Sequence, residues 1–339
     1  MKRFLPLFLA LALLLTGCTA VSTTETTSQA VSQVDSSSQA SALESASESA
    51  SSQLESTSIT DSNGTQITLD TSAPRVVAAY GSFAEAWLLA GGELCGVTQD
   101  ALEQRDLGLP EDIAVVGTVK EPNAEEIIAL EPDLVLLASD ITTQADIRDV
   151  LENAGLACAF FQVDTFADYA FMMEQLCAVT GREDLYEENV TQVGQQIEEA
   201  QANAALSSTR PNVLLIRAFS TGIKAKTDDE LAGAILKDLG AHNIADDHPS
   251  MLEDLSLEEV IAADPDYIFV TTMGDEQKAL DYLNGLIQQN PAWSELSAVK
   301  EDRYVVLPKD LFHYKPNNRW GESYQYLGEI LYPELFHEE

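Results

Sequence analysis

The chain has 339 residues, with 18 Lys and Arg against 56 Asp and Glu, which gives a formal net charge of −38. This length allows one or two domains with sizeable cores, and a hydrophobic content of 45% excludes a chain that is disordered throughout. The acidity argues against nucleic acid or an anionic membrane surface as a partner, because both attract clustered positive charge.

The first 17 residues have the pattern of a signal peptide. Lys2 and Arg3 precede an apolar run of about a dozen residues, whereas a bilayer core of about 30 Å needs roughly 20. The run ends in Leu15-Thr16-Gly17-Cys18, which resembles the lipobox of bacterial lipoproteins. This resemblance implies that Cys18 carries a lipid, which would be the only membrane contact and would anchor the protein on the outer face of the cytoplasmic membrane. An ordinary secretion signal is the alternative.

Residues 18–58 are predicted to be a disordered tether. After Cys18 the composition shifts to Ser, Thr, Ala, Gln and Glu, with no Lys, Arg, Pro, Gly or aromatic residue. Such a segment cannot bury enough apolar surface to offset the entropy lost on ordering. As a flexible coil of about 40 residues it would reach roughly 35 Å. It would hold a folded domain away from the membrane.

Residues 59–183 are predicted to form an N-terminal α/β lobe. An opening hairpin is expected at 59–69, with Asn63-Gly64 in its turn. Short apolar segments then alternate with helical ones, which predicts a parallel sheet with helices on both faces. Strands are predicted at Val76–Tyr80, Leu94–Val97, Ile113–Val116, Leu134–Leu137 and Cys158–Gln162. Helices are predicted at Phe83–Leu89, Ala124–Leu130, Gln144–Asn153 and Phe166–Val179.

A single long helix is predicted at residues 184–206, between two α/β halves. Its apolar residues recur at helical spacing, and about 23 residues would span roughly 34 Å. Arg210-Pro211 ends it, and residues 207–339 form the predicted C-terminal lobe, which begins with a strand at Val213–Ile216 and ends with a helix at Trp320–Leu331. The predicted fold is therefore α/β, with two Rossmann-like lobes, each built on a central parallel sheet, joined by one long α-helix.

An internal repeat supports two similar lobes. Residues 125–137 align with residues 258–270 without a gap, and six of the thirteen positions are identical. Each copy predicts a short helix, a Pro-Asp break and a buried strand. One repetition indicates paired lobes rather than a solenoid.

The sequence contains none of the motifs typical of enzymes. GxGxxG opening a helix, GxxxxGK[ST], HExxH and GxSxG are absent. The four histidines lack helical ligand spacing, and Cys95, Cys158 and Cys177 show no CxxC or CxxH pattern, so we expect neither a metal site nor a resident cofactor. A disulfide between these cysteines is not indicated. We therefore expect that this protein is not an enzyme.

Several segments in order resemble the helical-backbone solute-binding proteins of ABC importers. These are Arg75-Val-Val-Ala-Ala-Tyr80, Leu88-Leu-Ala-Gly-Gly92, Pro122-Asn-Ala-Glu-Glu-Ile-Ile-Ala-Leu-Glu-Pro-Asp133, Gly240-Ala-His-Asn-Ile244 and Leu257-Glu-Glu-Val-Ile-Ala-Ala-Asp-Pro-Asp266. The resemblance covers about residues 58–333. It implies a monomeric binding protein that captures an iron–siderophore complex, haem or cobalamin between the lobes and delivers it to a permease and ATPase complex.

The resemblance also implies that Glu125 and Glu258 dock onto the permease, because one acidic residue per lobe does so in this family. These two residues are equivalent in the repeat. Asn123 and Ser256 are suitable N-caps, and the glutamates three residues after them can complete capping interactions, which leaves Glu125 and Glu258 free. The alternative is that both acids only complement the helix dipole.

The ligand is expected at the carboxyl ends of the predicted strands. Basic residues on the loops there would hold an anionic ligand by charge-assisted hydrogen bonds, although loops also tolerate Lys and Arg without function. The candidate ligand-binding residues are Tyr80, Lys120, Arg217, Lys224, His313, Tyr314, Lys315 and Arg319.

Tyr80 or His313 could also ligate a haem iron, although a lone His more often packs or lies at the surface. Glu85 is predicted to form a capping box with Ser82 rather than a functional site. A siderophore-like iron chelate is the preferred ligand. The alternative ligands are haem, cobalamin, and a zinc or manganese ion. The alternative functions are those of an extracytoplasmic enzyme or a structural surface lipoprotein.

Overall fold

The computed structural model describes residues 57–253 and 255–336, which belong to one compact unit. The predicted signal peptide, the predicted lipid attachment at Cys18 and the predicted tether up to residue 56 lie outside the described residues. The first strand begins at Thr57, two residues before the predicted start of the lobe. No helix within the described ranges is long and apolar enough to cross a membrane.

Fourteen strands are present in the described ranges. They are β1 (Thr57–Thr60), β2 (Gln66–Leu69), β3 (Val76–Ala78), β4 (Leu94–Val97), β5 (Ala114–Val115), β6 (Gly117–Thr118), β7 (Glu121–Pro122), β8 (Leu134–Ala138), β9 (Ala157–Phe161), β10 (Asn212–Phe219), β11 (Gly222–Lys226), β12 (His242–Asn243), β13 (Tyr267–Thr272) and β14 (Tyr304–Val306).

The α-helices alternate with these strands. They are α1 (Gly81–Leu89), α2 (Asp100–Glu103), α3 (Ala124–Ala129), α4 (Thr142–Asp146), α5 (Arg148–Asn153), α6 (Phe166–Thr180), α7 (Glu183–Tyr186), α8 (Gln192–Ala204), α9 (Leu231–Asp238), α10 (Leu257–Ala263), α11 (Glu276–Gln289), α12 (Ser297–Lys300), α13 (Lys309–Phe312), α14 (Trp320–Leu331) and α15 (Pro333–Phe336). The helix predicted at 144–153 is divided into α4 and α5.

Each lobe is built on its own sheet. The N-terminal sheet has the order β5-β4-β3-β8-β9 and is parallel throughout. The C-terminal sheet has the order β11-β10-β13-β14, with β12 also parallel to β10 and only β11 antiparallel. The two-lobed α/β fold with central parallel sheets is therefore confirmed, with one antiparallel edge strand as an addition.

Both faces of each sheet are buried, which explains why the strands are almost continuously apolar. Along β3, Val76 and Ala78 contact one hydrophobic cluster, whereas Val77 contacts another on the opposite face. In β10, Leu215 and Leu214 divide between two clusters in the same way. Side chains that alternate between two buried faces leave no polar stripe along the strand.

The helical backbone runs without interruption from Glu183 to Ala204 between the two sheets in sequence. The observed helix thus begins one residue before the predicted helix at 184–206 and ends two residues before it. It contains a π-helical turn at Glu187–Thr191, which the sequence does not predict. Its buried face packs against α14 and contributes Val193, Ile197, Ala200 and Ala204 to a cluster that also includes residues of both sheets.

The internal repeat has the same backbone contacts in both lobes. The Asp133 carboxylate accepts from the backbone N–H of Arg75 at 2.8 Å, and the Asp266 carboxylate accepts from that of Asn212 at 2.8 Å. The backbone N–H groups of the two aspartates return hydrogen bonds to the carbonyls of these same partners. The Pro-Asp break therefore holds the start of β8 beside the start of β3 in the N-terminal lobe, and the start of β13 beside the start of β10 in the C-terminal lobe.

Candidate ligand-binding site

A cavity of about 300 Å³ lies between segments that follow strands of both sheets. The N-terminal lobe contributes Glu85 from α1 and Gln104, Arg105 and Asp106 after α2. The C-terminal lobe contributes Asp310, Tyr314, Pro316 and Arg319, all after β14. Because these segments follow the carboxyl ends of the strands, the cavity lies where open α/β sheets bind ligands.

Glu85 joins the two lobes at the wall of this cavity. Its carboxylate pairs with Arg105 and accepts a hydrogen bond from Asn317 Nδ2 at 2.6 Å. Arg105 also donates to the carbonyl of Lys315 at 2.9 Å. The predicted capping box with Ser82 is wrong, because Tyr80 is the N-cap of α1, has no side-chain capping bond, and Glu85 is engaged elsewhere.

Two further contacts fasten the segment 315–319 to the rest of the chain. Lys315 Nζ lies 3.1 Å from the Asp164 carboxylate, just after β9. Asn318 Nδ2 donates to Asn189 Oδ1 at 3.0 Å, and Asn189 lies within the π-helical turn. The segment therefore contacts the N-terminal lobe and the long helix together.

Most of the predicted cations at the cleft are already paired with carboxylates. Arg319 pairs with Asp310 and Glu322, at 2.8 and 2.6 Å. Arg217 pairs with Glu230. Lys120 and Lys224 are exposed, Lys120 in the turn between β6 and β7. Arg217, Arg319 and Lys315 therefore have carboxylate partners within the chain, and a role of Lys120 and Lys224 in binding an anionic ligand stays a prediction.

Of the eight predicted ligand-binding residues, Tyr314 and Arg319 line the cavity itself. His313 and Lys315 flank Tyr314 on the same segment. Tyr80, the N-cap residue of α1, lies two residues after β3 and packs edge-on against Phe83, with ring centroids 5.2 Å apart.

The pKa values of the two candidate haem ligands are shifted in opposite directions, that of Tyr80 upward and that of His313 downward. Burial, together with the Asp140 and Asp100 carboxylates, raises the pKa of Tyr80 to about 12, so its phenol remains protonated. Burial lowers the pKa of His313 to about 4, and the charges of Arg217, Lys309 and Lys315 act in the same direction. His313 is therefore a neutral imidazole at physiological pH and can act as a metal ligand without losing a proton.

Gln144 holds the strand ends at the cleft, and its role is not evident from the sequence. Its fully buried side chain accepts from the backbone N–H of Ala138 at 2.7 Å and donates to the carbonyls of Ala79 and Val119 at 2.7 and 2.9 Å. It thus joins the ends of β3 and β8 to the turn that carries Lys120. No local pattern marks such a residue, because its three partners are up to 65 residues away.

Glu125 and Glu258 occupy equivalent, exposed positions in the first turns of α3 and α10. The side chain of Asn123 accepts from the backbone N–H groups of Glu125 and Glu126, and Ser256 Oγ accepts from that of Glu259. The reciprocal half of the capping box is absent in both helices. The N–H of Asn123 donates to the carbonyl of Val116, and the Glu259 carboxylate instead accepts from Ser250 Oγ at 3.0 Å.

The three cysteines in the described ranges are free thiols. Burial raises the pKa of Cys158 to about 12 and that of Cys177 to about 11, so both remain protonated. Across residues 57–253 and 255–336, no group of three His, Cys, Asp or Glu side chains is arranged to hold a metal ion.

A cavity shared by two parallel-sheet lobes is the arrangement of a binding protein, and sequence comparison agrees. The profile of one family, described as periplasmic binding protein, matches residues 76–311, which include both sheets. The chain belongs to this family.

Individual relatives of this periplasmic binding protein are distant but extensive in coverage. The Fe(3+)-citrate-binding protein YfmC of Bacillus subtilis (strain 168) is 26% identical over 76% of this chain and 79% of its own. The high-affinity heme uptake system protein IsdE of Staphylococcus aureus (strain MRSA252) is 22% identical over 66% of this chain and 76% of its own. A crystal structure of an ABC transporter substrate-binding protein from Listeria monocytogenes EGD-e covers 77% of this chain and 99% of its own, with a TM-score of 0.61 and 22% identity.

Proposed function

We propose that this protein captures a ferric chelate between its two lobes and delivers it to an ABC importer. The observation that carries the proposal is the cavity, because side chains from the ends of both sheets line it. The family match and the relative that binds Fe(3+)-citrate support iron as the cargo. The protein acts as a monomer and catalyses no reaction, since it only holds and releases its ligand.

In this proposal, the protein docks onto the permease through two exposed acidic residues in α3 and α10. Glu125 and Glu258 lie in matching first turns, so a permease can contact both lobes at once through equivalent basic pockets. Anchoring by a lipid on Cys18, after removal of residues 1–17, would keep the protein on the outer face of the cytoplasmic membrane, near that permease. The segment 18–58 would then act as its tether.

Haem is the second candidate ligand. The neutral imidazole of His313 on the cavity segment favours it, as does the relative of a haem uptake system. Tyr80 would serve less well as an axial ligand, because its raised pKa disfavours the phenolate. No observation in the described residues favours cobalamin over these two.

Native mass spectrometry of the purified protein with a panel of ligands tests the proposal. The panel contains ferric citrate, ferric catecholate and hydroxamate siderophores, haem and a corrinoid, with iron-free citrate as the control. We expect a one-to-one complex with a ferric chelate and none with iron-free citrate. Binding of haem alone would select the second candidate, and binding of no member would reject the function.

A further inference from the structure

The Glu230 carboxylate occupies a cationic site at the cleft end of the C-terminal sheet. Arg217 Nη1 donates to its Oε1 at 2.9 Å, and Nη2 donates to Oε2, so the guanidinium grips the carboxylate with two parallel bonds. Lys226 Nζ lies 2.7 Å from the same Oε1. The three side chains are only 17 to 23% exposed. A guanidinium and an ammonium therefore converge on one carboxylate that is largely shielded from solvent.

Two further positive features adjoin this carboxylate. Glu230 is the N-cap residue of α9, which begins at Leu231, so it stands at the positive end of the helix dipole, although its side chain makes no capping hydrogen bond. Lys224 lies directly opposite Arg217 in the ladder between β10 and β11, and directly paired residues project from the same face. The group of Arg217, Lys224, Lys226 and Glu230, here called the carboxylate site, thus carries three positive charges and one negative charge. Asp229 is a second carboxylate close by, and the charge of Lys226 helps to lower its pKa.

Arg217 of the carboxylate site lies near the carboxyl end of β10, the same edge of the C-terminal sheet from which the cavity-lining segment after β14 continues. Arg217 is close enough to His313 to lower its pKa, and the His313 ring contacts that of Tyr314, with centroids 5.3 Å apart. Tyr314 lines the cavity. A ligand that extends from the cavity past Tyr314 would therefore approach the Arg217 guanidinium, which is now paired with Glu230.

We propose that Glu230 is an internal stand-in for a carboxylate of the ligand, and that the ligand is a ferric chelate with a carboxylate not used to bind iron. The inference rests on the proposed function and names its ligand class. The site is shaped for a carboxylate because it holds one, and the planar fork of arginine matches that group in a bidentate geometry. The ligand carboxylate displaces Glu230, which moves toward solvent.

This exchange makes Glu230 a specificity-determining residue. A neutral chelate offers nothing to replace Glu230, because leaving Arg217 and Lys226 without a partner would cost more than the chelate returns. A chelate with a free carboxylate replaces one ion pair by another, and Glu230 gains hydration. Glu230 therefore lowers the affinity for every anionic ligand and excludes ligands that lack a carboxylate from this subsite.

The test compares E230Q with the wild type by measuring the Kd values for ferric citrate and for a neutral ferric trihydroxamate through quenching of tryptophan fluorescence. D228N is the matched control, because it also removes one negative charge. Asp228 lies two residues from Glu230 and pairs with the exposed Lys237. We expect E230Q to bind ferric citrate at least tenfold more tightly than wild type and D228N do. The affinity for the trihydroxamate should change less than twofold in both variants.

Equal or weaker ferric citrate binding by E230Q would overturn the inference, since weaker binding would show that Glu230 only positions Arg217. A wild type that binds the trihydroxamate but not ferric citrate would overturn the ligand class and leave the proposed function standing. Loss of both ligands from the wild type would reject the proposed function itself. E230D, which keeps the charge and shortens its reach, should give an intermediate gain if E230Q unfolds.

Discussion

Asn317 Nδ2 donates to the Glu85 carboxylate at 2.6 Å, across 232 residues of sequence and from one lobe to the other. The same amide donates to the carbonyl of Ser82 at 2.9 Å, and the Asn317 side chain is fully buried. Its φ of 52° lies in the left-handed region, which Asn tolerates better than most residues. Asn317 therefore fixes the segment 315–319, which lines the cavity, to α1 through its backbone conformation and its side chain together.

The first prediction concerns this contact. N317D replaces a donor by a carboxylate beside Glu85, so two hydrogen bonds are lost and like charges face each other in a buried site. We expect the free energy of unfolding to fall by about 2–4 kcal/mol, measured by urea denaturation. N63D, at an exposed turn position, is the control and should change stability by less than about 0.5 kcal/mol. An N317D protein as stable as the wild type would show that the contact between the lobes is dispensable.

The second prediction concerns docking. The double variant E125R/E258R reverses the charge at both outer helices, so we expect ATP-driven uptake of the ligand in reconstituted vesicles to be abolished while the Kd for the ligand stays unchanged. E198R/E199R carries the same total charge change on the exposed face of α8 and should transport normally. Wild-type uptake by E125R/E258R would refute the docking role.

The third prediction concerns pH. His313 has a folded-state pKa of about 4, below its unfolded value of about 6.5, so the unfolded chain binds more protons between these values. The stability that depends on neutral His313 is complete above pH 6.5 and is lost as the pH falls toward 4, by about 3 kcal/mol at most.

H313Q removes this titration. Urea denaturation at pH 7 and pH 4.5 should therefore show a smaller loss of stability for H313Q than for the wild type. The comparison between the two proteins cancels the carboxylates, which also titrate in this range. Parallel losses in both proteins would mean that His313 is not held neutral by its surroundings.

The fourth prediction uses the repeat. Glu131 and Asp264 are equivalent residues with φ values of 47° and 41°, a conformation that favours glycine. E131G should stabilise the protein by up to about 1 kcal/mol, because it relieves this backbone cost. D264G should instead destabilise it by about 1–2 kcal/mol, since the Asp264 carboxylate accepts from Ser297 N and Oγ at 2.8 and 2.7 Å. Equal effects of both substitutions in thermal unfolding would contradict this assignment.

The fold is largely predictable from the sequence because local signals agree with the tertiary arrangement. The strand predicted at Leu94–Val97 and the helix predicted at Trp320–Leu331 have the observed bounds, and the repeat marks matching units in the two lobes. The break at Ile147, which divides one predicted helix into α4 and α5, could not be read from the sequence. The π-helical turn was missed as well, because Asn189 there is held by Leu89 and Asn318 from distant segments.

The candidate site is less predictable, because its chemistry depends on long-range pairs. Spacing assigns Glu85 to Ser82, its neighbour three residues earlier, whereas its partners in the fold are Arg105 and Asn317. In the same way, Arg217 reads as a free cation until the fold brings Glu230 to it. Sequence shows which charges exist, and only the fold shows which of them cancel.

The lobes match at α3 and α10 and differ at one sheet edge, where β11 folds back on β10 as an antiparallel hairpin that the N-terminal sheet lacks. If Glu125 and Glu258 dock onto the permease and the carboxylate site selects the ligand, as we propose, these two tasks fall on separate parts of the scaffold. The hairpin and the loops around it could then be exchanged for a new specificity without any change at Glu125 or Glu258.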